Sequence, residues 1–184
     1  MKSFLPSIFL VLGLMADATA QQHKCKDCIE WSEDKKLKWS DFKARPNRLS
    51  SNAALTDSGM SIGLKCDGTT SEVTIQCFFD RSKSWTKNNE SKYLLAHEQL
   101  HFDITELFVR KLRKQLAALN NDCNKLSQKV QEYYDNNYKE FVAYQQRYDS
   151  ESNHSLNKEK QKYWEAKVTR ELNELRPYAS LASN

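Results

Sequence analysis

The fold is decided by residues 91–119, SKYLLAHEQLHFDITELFVRKLRKQLAAL. This stretch contains neither glycine nor proline, and its apolar positions recur every three or four residues, which predicts one long amphipathic helix. The polar run Asn120-Asn121-Asp122 ends that helix. Further helices are predicted over residues 123–148 and 157–175, joined by a polar loop from Asp149 to Ser155.

Strands are predicted ahead of these helices. Residues 60–66 and 73–79 alternate apolar and polar side chains, and Asp67-Gly68 between them favours a hairpin. The aromatic content of residues 37–42 predicts another short strand. Strands followed by helices are typical of an α+β fold, so we expect a small N-terminal antiparallel sheet packed on the long helix.

Composition limits the classes of function. The 184 residues include 28 Lys and Arg against 24 Asp and Glu, and the net charge of +4 with no basic cluster argues against a nucleic-acid partner. Only four glycines are present, where average usage would give roughly 13. Tight turns must therefore be few, and helix should dominate a single domain.

The first twenty residues have the pattern of a secretory signal peptide. Lys2 precedes an apolar run over residues 4–15, and the small-residue site Ala18-Thr19-Ala20 follows. The run is shorter than the about 20 residues that a membrane-spanning helix needs. We expect cleavage after Ala20, export to the periplasm or the medium, and a mature domain of residues 21–184 with no stable membrane span.

Export makes the five cysteines candidates for disulfides, and because five is odd, at least one is free or pairs outside the chain. Cys25 and Cys28 form a lone CxxC without a second pair at zinc-ribbon spacing, so we expect these cysteines to serve in disulfides and not in a zinc or redox site. The predicted hairpin places Cys66 opposite Val73 and not opposite Cys77. Cys123 is an alternative partner for either, and the connectivity stays open.

The long helix carries an HExxH sequence, His97-Glu98-Gln99-Leu100-His101. Two histidines four residues apart lie about 40° apart around a helix axis, so both Nε2 atoms can reach one metal ion. Glu98 is placed to take a proton from a water that the metal activates. On a helical wheel these side chains lie in an apolar arc, where a divalent cation would offset the cost of their burial. Asp103, Glu106 and Arg110 lie on the opposite, polar arc.

A catalytic zinc usually has three protein ligands and a water. His154 is the candidate third ligand, because His23 lies near the start of the mature chain and His154 lies in the loop between the second and third helices. Asp149 and Glu151 are rivals in the same loop. At 1.5 Å per residue the second helix would overshoot His101 by about 12 Å, so His154 reaches the site only if the chain bends or doubles back.

Spaced motifs extend this pattern over nearly the whole mature chain. They comprise Trp39 to Phe42, Ala54 to Thr56, Phe79 to Trp85, Leu94 to Ile104 with Glu106 and Arg110, and Tyr148 to His154 with Gln161 and Trp164. With these motifs the chain resembles a bacterial family of predicted secreted zinc-dependent proteases whose function is uncharacterised. The family has Gly after the histidine, where this chain has Ser155. The resemblance implies a zincin-like fold and a protease activity.

The sequence therefore predicts a zinc metallopeptidase acting on peptide or protein substrates. His97, His101 and His154 would bind Zn²⁺, Glu98 would be the general base, and the metal would polarise the scissile carbonyl. Tyr148 is a candidate donor to the oxyanion. The strand from Val73 to Phe79 is a candidate to receive the substrate as an added strand, with a plain core strand as the alternative.

Two other classes of function fit the same features. One is a non-catalytic zinc-binding protein of the cell envelope, in which the metal staples the domain or is sequestered. The other is a helical interaction module built on the second and third helices, with no metal. Glu98 separates the enzyme from the zinc-binding protein, because a structural site closed by four ligands would tolerate its loss.

Overall fold

The computed structural model describes residues 25–67, 71–119 and 122–179. Strands precede helices, and the architecture is α+β with a small antiparallel sheet and three helices. The predicted signal peptide, its cleavage site and His23 lie outside the described residues. The strands are β1 (Cys28–Glu30), β2 (Ala54–Leu55), β3 (Ser58–Cys66), β4 (Ser71–Asp80) and β5 (Trp85–Thr86), and the helices are α1 (Lys92–Ala117), α2 (Cys123–Ser152) and α3 (Lys158–Glu174).

The predicted hairpin is β3 with β4. These strands pair antiparallel, and β1 adds to the other edge of β4 to give the order β1-β4-β3, while β2 and β5 pair separately. Leu64 lies opposite Val73, and Cys66 lies opposite Ser71. The expected pairing of Cys66 with Val73 is wrong by two residues, because β4 begins at Ser71, earlier than predicted.

The strand that was a candidate to receive substrate has its second edge occupied by β1 over Phe78–Asp80, by the N–H of Trp31 at Cys77 and by Arg113 at Ile75. β4 pairs with β3 along its length and with β1 over Phe78–Asp80. Ile75, Cys77 and Phe79 of this strand are buried in the main core. The alternative of a plain core strand therefore describes β4 better than that of a substrate-binding edge.

The short strand predicted over residues 37–42 is wrong. Trp39–Asp41 forms a single turn of 3₁₀ helix, in which the backbone N–H of Lys38 donates to the carboxylate of Asp41 at 2.8 Å. Leu37 and Phe42 on either side of this turn are buried. The side chains whose apolar character favoured a strand are instead packed into the core from a tight turn.

Helix α1 lies at the centre of the molecule. Ser91 caps its start by accepting a hydrogen bond from the N–H of Leu94 at 3.1 Å. Ile104, Leu107 and Leu112 are completely buried. The α1 contacts with the sheet on one side and with α2 and α3 on the other leave little of this helix exposed.

The polar arc of α1, opposite the HExxH residues, is largely buried. Glu106, Arg110 and Arg113 are all enclosed there, and we call them the arginine cluster. Glu106 Oε1 accepts hydrogen bonds from Arg110 Nε at 2.8 Å and Arg113 Nη1 at 3.2 Å. The two guanidinium groups also donate to the carbonyl oxygens of Leu172 at 2.8 Å and Ile75 at 2.7 Å. This polar arc is buried because the sheet and the end of α3 close over it.

Two disulfides join the chain, Cys25 to Cys28 and Cys66 to Cys123. Disulfides were expected, and the structure gives the pairing that the sequence left open. The second bridge uses the alternative partner Cys123 and ties the end of β3 to the start of α2. Cys77 is free and buried. Among the described residues, no helix combines the length and the apolar character needed to cross a membrane.

Candidate metal centre

Two histidines of α1 and one aspartate of α2 converge, and we call His97, His101 and Asp149 the histidine cluster. The Nε2 atoms of His97 and His101 are 3.2 Å apart. The Oδ1 atom of Asp149 lies 3.3 Å from the first and 3.0 Å from the second. Three atoms that carry lone pairs thus form a triangle with sides near 3 Å.

The antiparallel packing of α1 and α2 brings Asp149 to the histidines. Asn137 of α2 bonds to Phe108, while further along Gln145 bonds to His101 and Tyr148 to His97. Because the two helices run antiparallel, each step forward along α2 is matched by an equal step backward along α1. Asp149 therefore lies level with His97. The helix also continues to Ser152, beyond its predicted end, so Asp149 projects from a helical turn and not from a loop.

His154 lies outside this triangle. Its side chain is 65% exposed, and its Nδ1 atom is 3.8 Å from Asp149 Oδ1. His154 belongs to a turn after α2 in which Asn153, His154 and Ser155 all have left-handed backbone angles, with φ of 49°, 48° and 73°. The other rival, Glu151, bonds instead to Arg147 at 2.7 Å and to the indole of Trp164 at 3.1 Å.

A glutamine contacts each histidine at the nitrogen away from the triangle. Gln145 Oε1 is 2.6 Å from His101 Nδ1, and its amide nitrogen donates to the backbone carbonyl of His101 at 2.9 Å. Gln161 Oε1, from α3, is 3.1 Å from His97 Nδ1, and its amide nitrogen donates to Glu165 at 3.0 Å. Gln161 is one of the spaced motif residues of the sequence, where no role was assigned to it. Gln145 gave no signal, because buried and exposed glutamines look alike in a sequence.

Tyr148, the candidate oxyanion donor, lies behind His97. Its hydroxyl is fully buried, 2.7 Å from His97 Nδ1, and donates to Gln161 Oε1 at 2.6 Å. Burial raises the pKa of this phenol far above its usual value, so the hydroxyl stays protonated. This position favours orientation of the His97 ring over contact with a substrate.

Glu98 is 3% exposed and is held by a residue from another part of the chain. The hydroxyl of Thr56, which follows β2, donates to Glu98 Oε2 at 2.8 Å. A buried carboxylate with one oxygen fixed in this way is aimed by the fold and is not a freely rotating surface group. This hydrogen bond gives a structural role to the motif Ala54 to Thr56, because its last residue holds the glutamate of HExxH.

The electrostatics of the histidine cluster favour a positive charge. Burial lowers the pKa of His101, but hydrogen bonding and attraction to Asp149 outweigh burial and raise this pKa to about 9. Burial would also raise the pKa of Asp149, yet hydrogen bonding to His101 and attraction to the two imidazoles hold it well below its usual range. Without a metal the cluster therefore retains a proton at neutral pH. A bound cation would take the place of that proton.

A second group of potential ligands, Cys25, Cys28 and Asp80, lies at the start of β1 and the end of β4. The two cysteines are joined in a disulfide. Asp80 also accepts hydrogen bonds from the backbone N–H and the hydroxyl of Ser82, at 2.9 and 2.6 Å. This group therefore offers no thiolate, and the histidine cluster is the better candidate for a metal.

Comparison with known proteins identifies a similarity and no assigned activity. A family model described as "Bacterial protein of unknown function (DUF922)" matches residues 79–155, which include α1 with HExxH and the α2 residue Asp149. Neither the curated proteins nor the solved structures contain a match to the chain. Over residues 79–155 the match supports the resemblance to an uncharacterised bacterial family, and it speaks neither for nor against a protease or zinc.

Proposed function

We propose that the protein is a secreted or periplasmic zinc metallopeptidase with a zincin-like arrangement, which hydrolyses bonds in peptide or protein substrates. His97, His101 and Asp149 hold the zinc, and Glu98 is the general base. In this proposal Asp149 takes the place that was predicted for His154. Tyr148 orients His97 and does not contact the substrate.

The triangle of the histidine cluster carries the proposal. Its three sides measure 3.2, 3.3 and 3.0 Å. Ligands of a tetrahedral zinc with bonds of about 2.0–2.1 Å lie about 3.3 Å apart. Three converging acceptors repel one another unless a proton or a cation lies among them, and a site of two histidines and one carboxylate is a ligand set that catalytic zinc uses.

The site also has the opening that catalysis needs. The side chain of Asp149 is 33% exposed, whereas that of His97 is 4% exposed, so solvent reaches the cluster from the aspartate side. A structural zinc site is instead closed by four protein ligands. The described arrangement supplies three, which leaves one position for water or substrate.

The chemistry then divides between the metal and the chain. When bound, zinc would supply a Lewis acid that polarises the scissile carbonyl and makes a water easier to deprotonate. Glu98 would accept the proton of the attacking water and deliver it to the leaving amine. The hydrogen bond from Thr56 keeps the Glu98 carboxylate oriented for that transfer. The two disulfides support the export part of the proposal, because disulfides persist in oxidising compartments.

Metal content tests the ligand set. The mature chain, purified without chelator, should contain about one zinc per chain. Asp149→Asn should lose this zinc, while His154→Ala, which removes a neighbouring exposed ring, should keep it. Zinc retained by Asp149→Asn and lost by His154→Ala would return the third position to the histidine.

Hydrolysis of a broad peptide library tests the activity. Glu98→Gln should keep the zinc and lose about 10²–10⁴-fold in rate, because the amide preserves the shape of the side chain but cannot accept the proton. Undiminished hydrolysis by Glu98→Gln would refute the mechanism. Stoichiometric zinc without any hydrolysis by the wild type would favour the non-catalytic zinc-binding protein, and absence of zinc would favour the helical interaction module.

A further inference from the structure

We infer that Gln145 and Gln161 set the tautomers of the two histidines, so that both Nε2 atoms face the metal position without a proton. The inference rests on the proposed zinc site and adds two positioning residues to it. Each glutamine acts through a histidine and contacts neither the metal position nor a substrate. The argument depends on which end of each amide faces the imidazole.

For Gln145 the backbone decides that orientation. A carbonyl oxygen can only accept, so the group that lies 2.9 Å from the His101 carbonyl must be the amide nitrogen. The amide oxygen is then the atom 2.6 Å from His101 Nδ1. Because that oxygen can only accept, Nδ1 must carry the proton, and in a neutral imidazole the lone pair is left on Nε2.

For Gln161 a carboxylate decides which end of the amide faces the imidazole. The amide nitrogen donates to Glu165 Oε1 at 3.0 Å, which turns the amide oxygen toward Tyr148 and His97. The phenol has one proton and gives it to Gln161 Oε1 at 2.6 Å, so its own oxygen accepts from His97 Nδ1 at 2.7 Å. The opposite assignment would set two acceptors against each other at 2.6 Å. His97 therefore has the same tautomer as His101.

The choice of a neutral amide at both positions is consistent with the charge of the site. The carboxylates of Asp149 and Glu98 balance one divalent cation, provided that both imidazoles stay neutral. Acidic residues at positions 145 and 161 would add charge that no described neighbour on the metal side balances. Without adding that charge, Gln145 accepts directly from His101 Nδ1–H, and Gln161 accepts the Tyr148 proton so that the phenol oxygen can accept from His97 Nδ1–H. Each amide nitrogen donates its hydrogen bond elsewhere in the fold.

The test compares three glutamine-to-methionine variants, in which length is kept and the amide is lost. Gln145→Met and Gln161→Met should each weaken zinc affinity by about 10–100-fold, the range typical of a lost outer-shell partner. Gln99→Met is the matched control, because Gln99 also uses both ends of its amide, with Asp103 at 2.9 Å and the N–H of Leu37 at 2.7 Å. It should stay within about threefold of the wild type. Affinity is measured by competition with a chromogenic chelator.

Imidazole ¹⁵N NMR of the zinc-loaded protein supplies a readout that a merely structural role would not move. The wild type should show two protonated Nδ1 atoms with slowly exchanging protons. Gln145→Met should speed the exchange at His101 alone, and Gln161→Met at His97 alone. If Gln161→Met fails to fold, Gln145→Met at its half-buried position decides the matter.

The outcomes separate this inference from the proposed function. Wild-type protein that binds zinc, with both variants within threefold of it and with unchanged Nδ1 exchange, overturns the inference and leaves the zinc site standing. Wild-type protein that binds no zinc overturns both. Weakened binding in both variants but not in Gln99→Met, together with the ring-specific exchange, supports the inference.

Discussion

Helix α1 buries two polar clusters that differ in how their charges are balanced. In the arginine cluster, Glu106 accepts hydrogen bonds from two guanidinium groups, and each of these groups also donates to a backbone carbonyl. In the histidine cluster, two nitrogens and a carboxylate oxygen point at one another. Burial is common to both, so burial alone does not mark a functional site.

The two clusters differ in whether a further positive charge is needed to balance them. The arginine cluster contains both signs of charge, so nothing from outside is required to stabilise it. Burial raises the pKa of Glu106, and Arg113 and Arg110 offset part of that shift. The histidine cluster contains only acceptors around its centre, and a proton or a metal must supply the positive charge. We therefore expect mutations in the first to change folding and mutations in the second to change metal binding.

The largest expected effects come from one residue in each cluster. His101→Ala should weaken zinc affinity by at least about 10³-fold, more than a lost outer-shell partner costs, because it removes a ligand. Glu106→Ala should lower the free energy of unfolding by about 3–5 kcal/mol, because it leaves two guanidinium groups buried without their carboxylate. Chelator competition and urea unfolding measure the two quantities.

Each variant serves as the control for the other. Zinc affinity of Glu106→Ala should stay within about threefold of the wild type in the fraction that is folded. The extra stability of the chelator-treated wild type over chelator-treated His101→Ala should shrink between pH 6 and pH 9.5, where His101 has largely lost its proton. Loss of zinc binding by folded Glu106→Ala would show that the two clusters are coupled along α1 and would break the comparison.

The disulfide between Cys66 and Cys123 should behave like the arginine cluster. It joins positions 57 residues apart, at the end of α2 opposite Asp149. Replacing both cysteines with serine should cost about 2–4 kcal/mol of unfolding free energy, because the unfolded chain loses a large closed loop. Zinc affinity should not change. The same replacement at Cys25 and Cys28, which close a much shorter loop, should cost less.

Much of the fold could be predicted from the sequence, because it depends on local periodicity. The absence of glycine and proline identified α1, alternation identified the hairpin, and the HExxH spacing placed two histidines on one helical face. These features are properties of neighbouring residues. Residues 37–42 were misread because their aromatic side chains pack from a turn, and that preference is set by the distant core they contact.

The third candidate ligand depended on the packing of two helices. Asp149 was weighed as a rival to His154, but the helix was expected to end at residue 148 and extends to Ser152. The predicted overshoot of the second helix beyond His101 was the useful signal. It implied that residues ahead of the His154 loop, and not His154 itself, lie level with the histidines of α1. The burial of Glu106 and Arg110 could not be read from the sequence for a related reason, because no local pattern tells which polar arc a sheet will cover.

The pH dependence of stability should sharpen the comparison further. Without metal, the pKa of His101 is raised to about 9 from an unfolded value of about 6.5. The stability that it contributes is complete below about pH 6.5 and is lost as pH rises through about 9, a change on the order of 2–3 kcal/mol. Urea unfolding in chelator at pH 6 and pH 9.5 measures this change.

Zinc should reverse the sign of that dependence. Because zinc competes with the proton for the same nitrogens, the stability of the loaded protein should rise with pH over this range. Asp149 stays ionised throughout, since its pKa is held low. Parallel curves with and without zinc would mean that the metal does not occupy the place of the proton in the histidine cluster.

The smallest expected effect concerns the turn that carries His154. Ser155 has a φ of 73°, a left-handed conformation that glycine adopts without strain. Ser155→Gly should therefore raise the free energy of unfolding by about 0.5–1 kcal/mol, the relief of strain exceeding the added entropy of the unfolded chain.

Ser152→Gly is the matched control, three residues earlier in the last turn of α2. Its hydroxyl lies 3.3 Å from the carbonyl of Asp149, and glycine inside a helix should lower stability by roughly 1 kcal/mol. The zinc affinity of Ser155→Gly shows whether the strained conformation at Ser155 contributes to metal binding. If Asp149 is the ligand, relaxing the turn leaves affinity unchanged, because Asp149 is held by the helix that precedes the turn. A clear loss of affinity in a more stable Ser155→Gly protein would mean that the strained turn holds His154 against the metal, and the histidine cluster would have to be extended to include it.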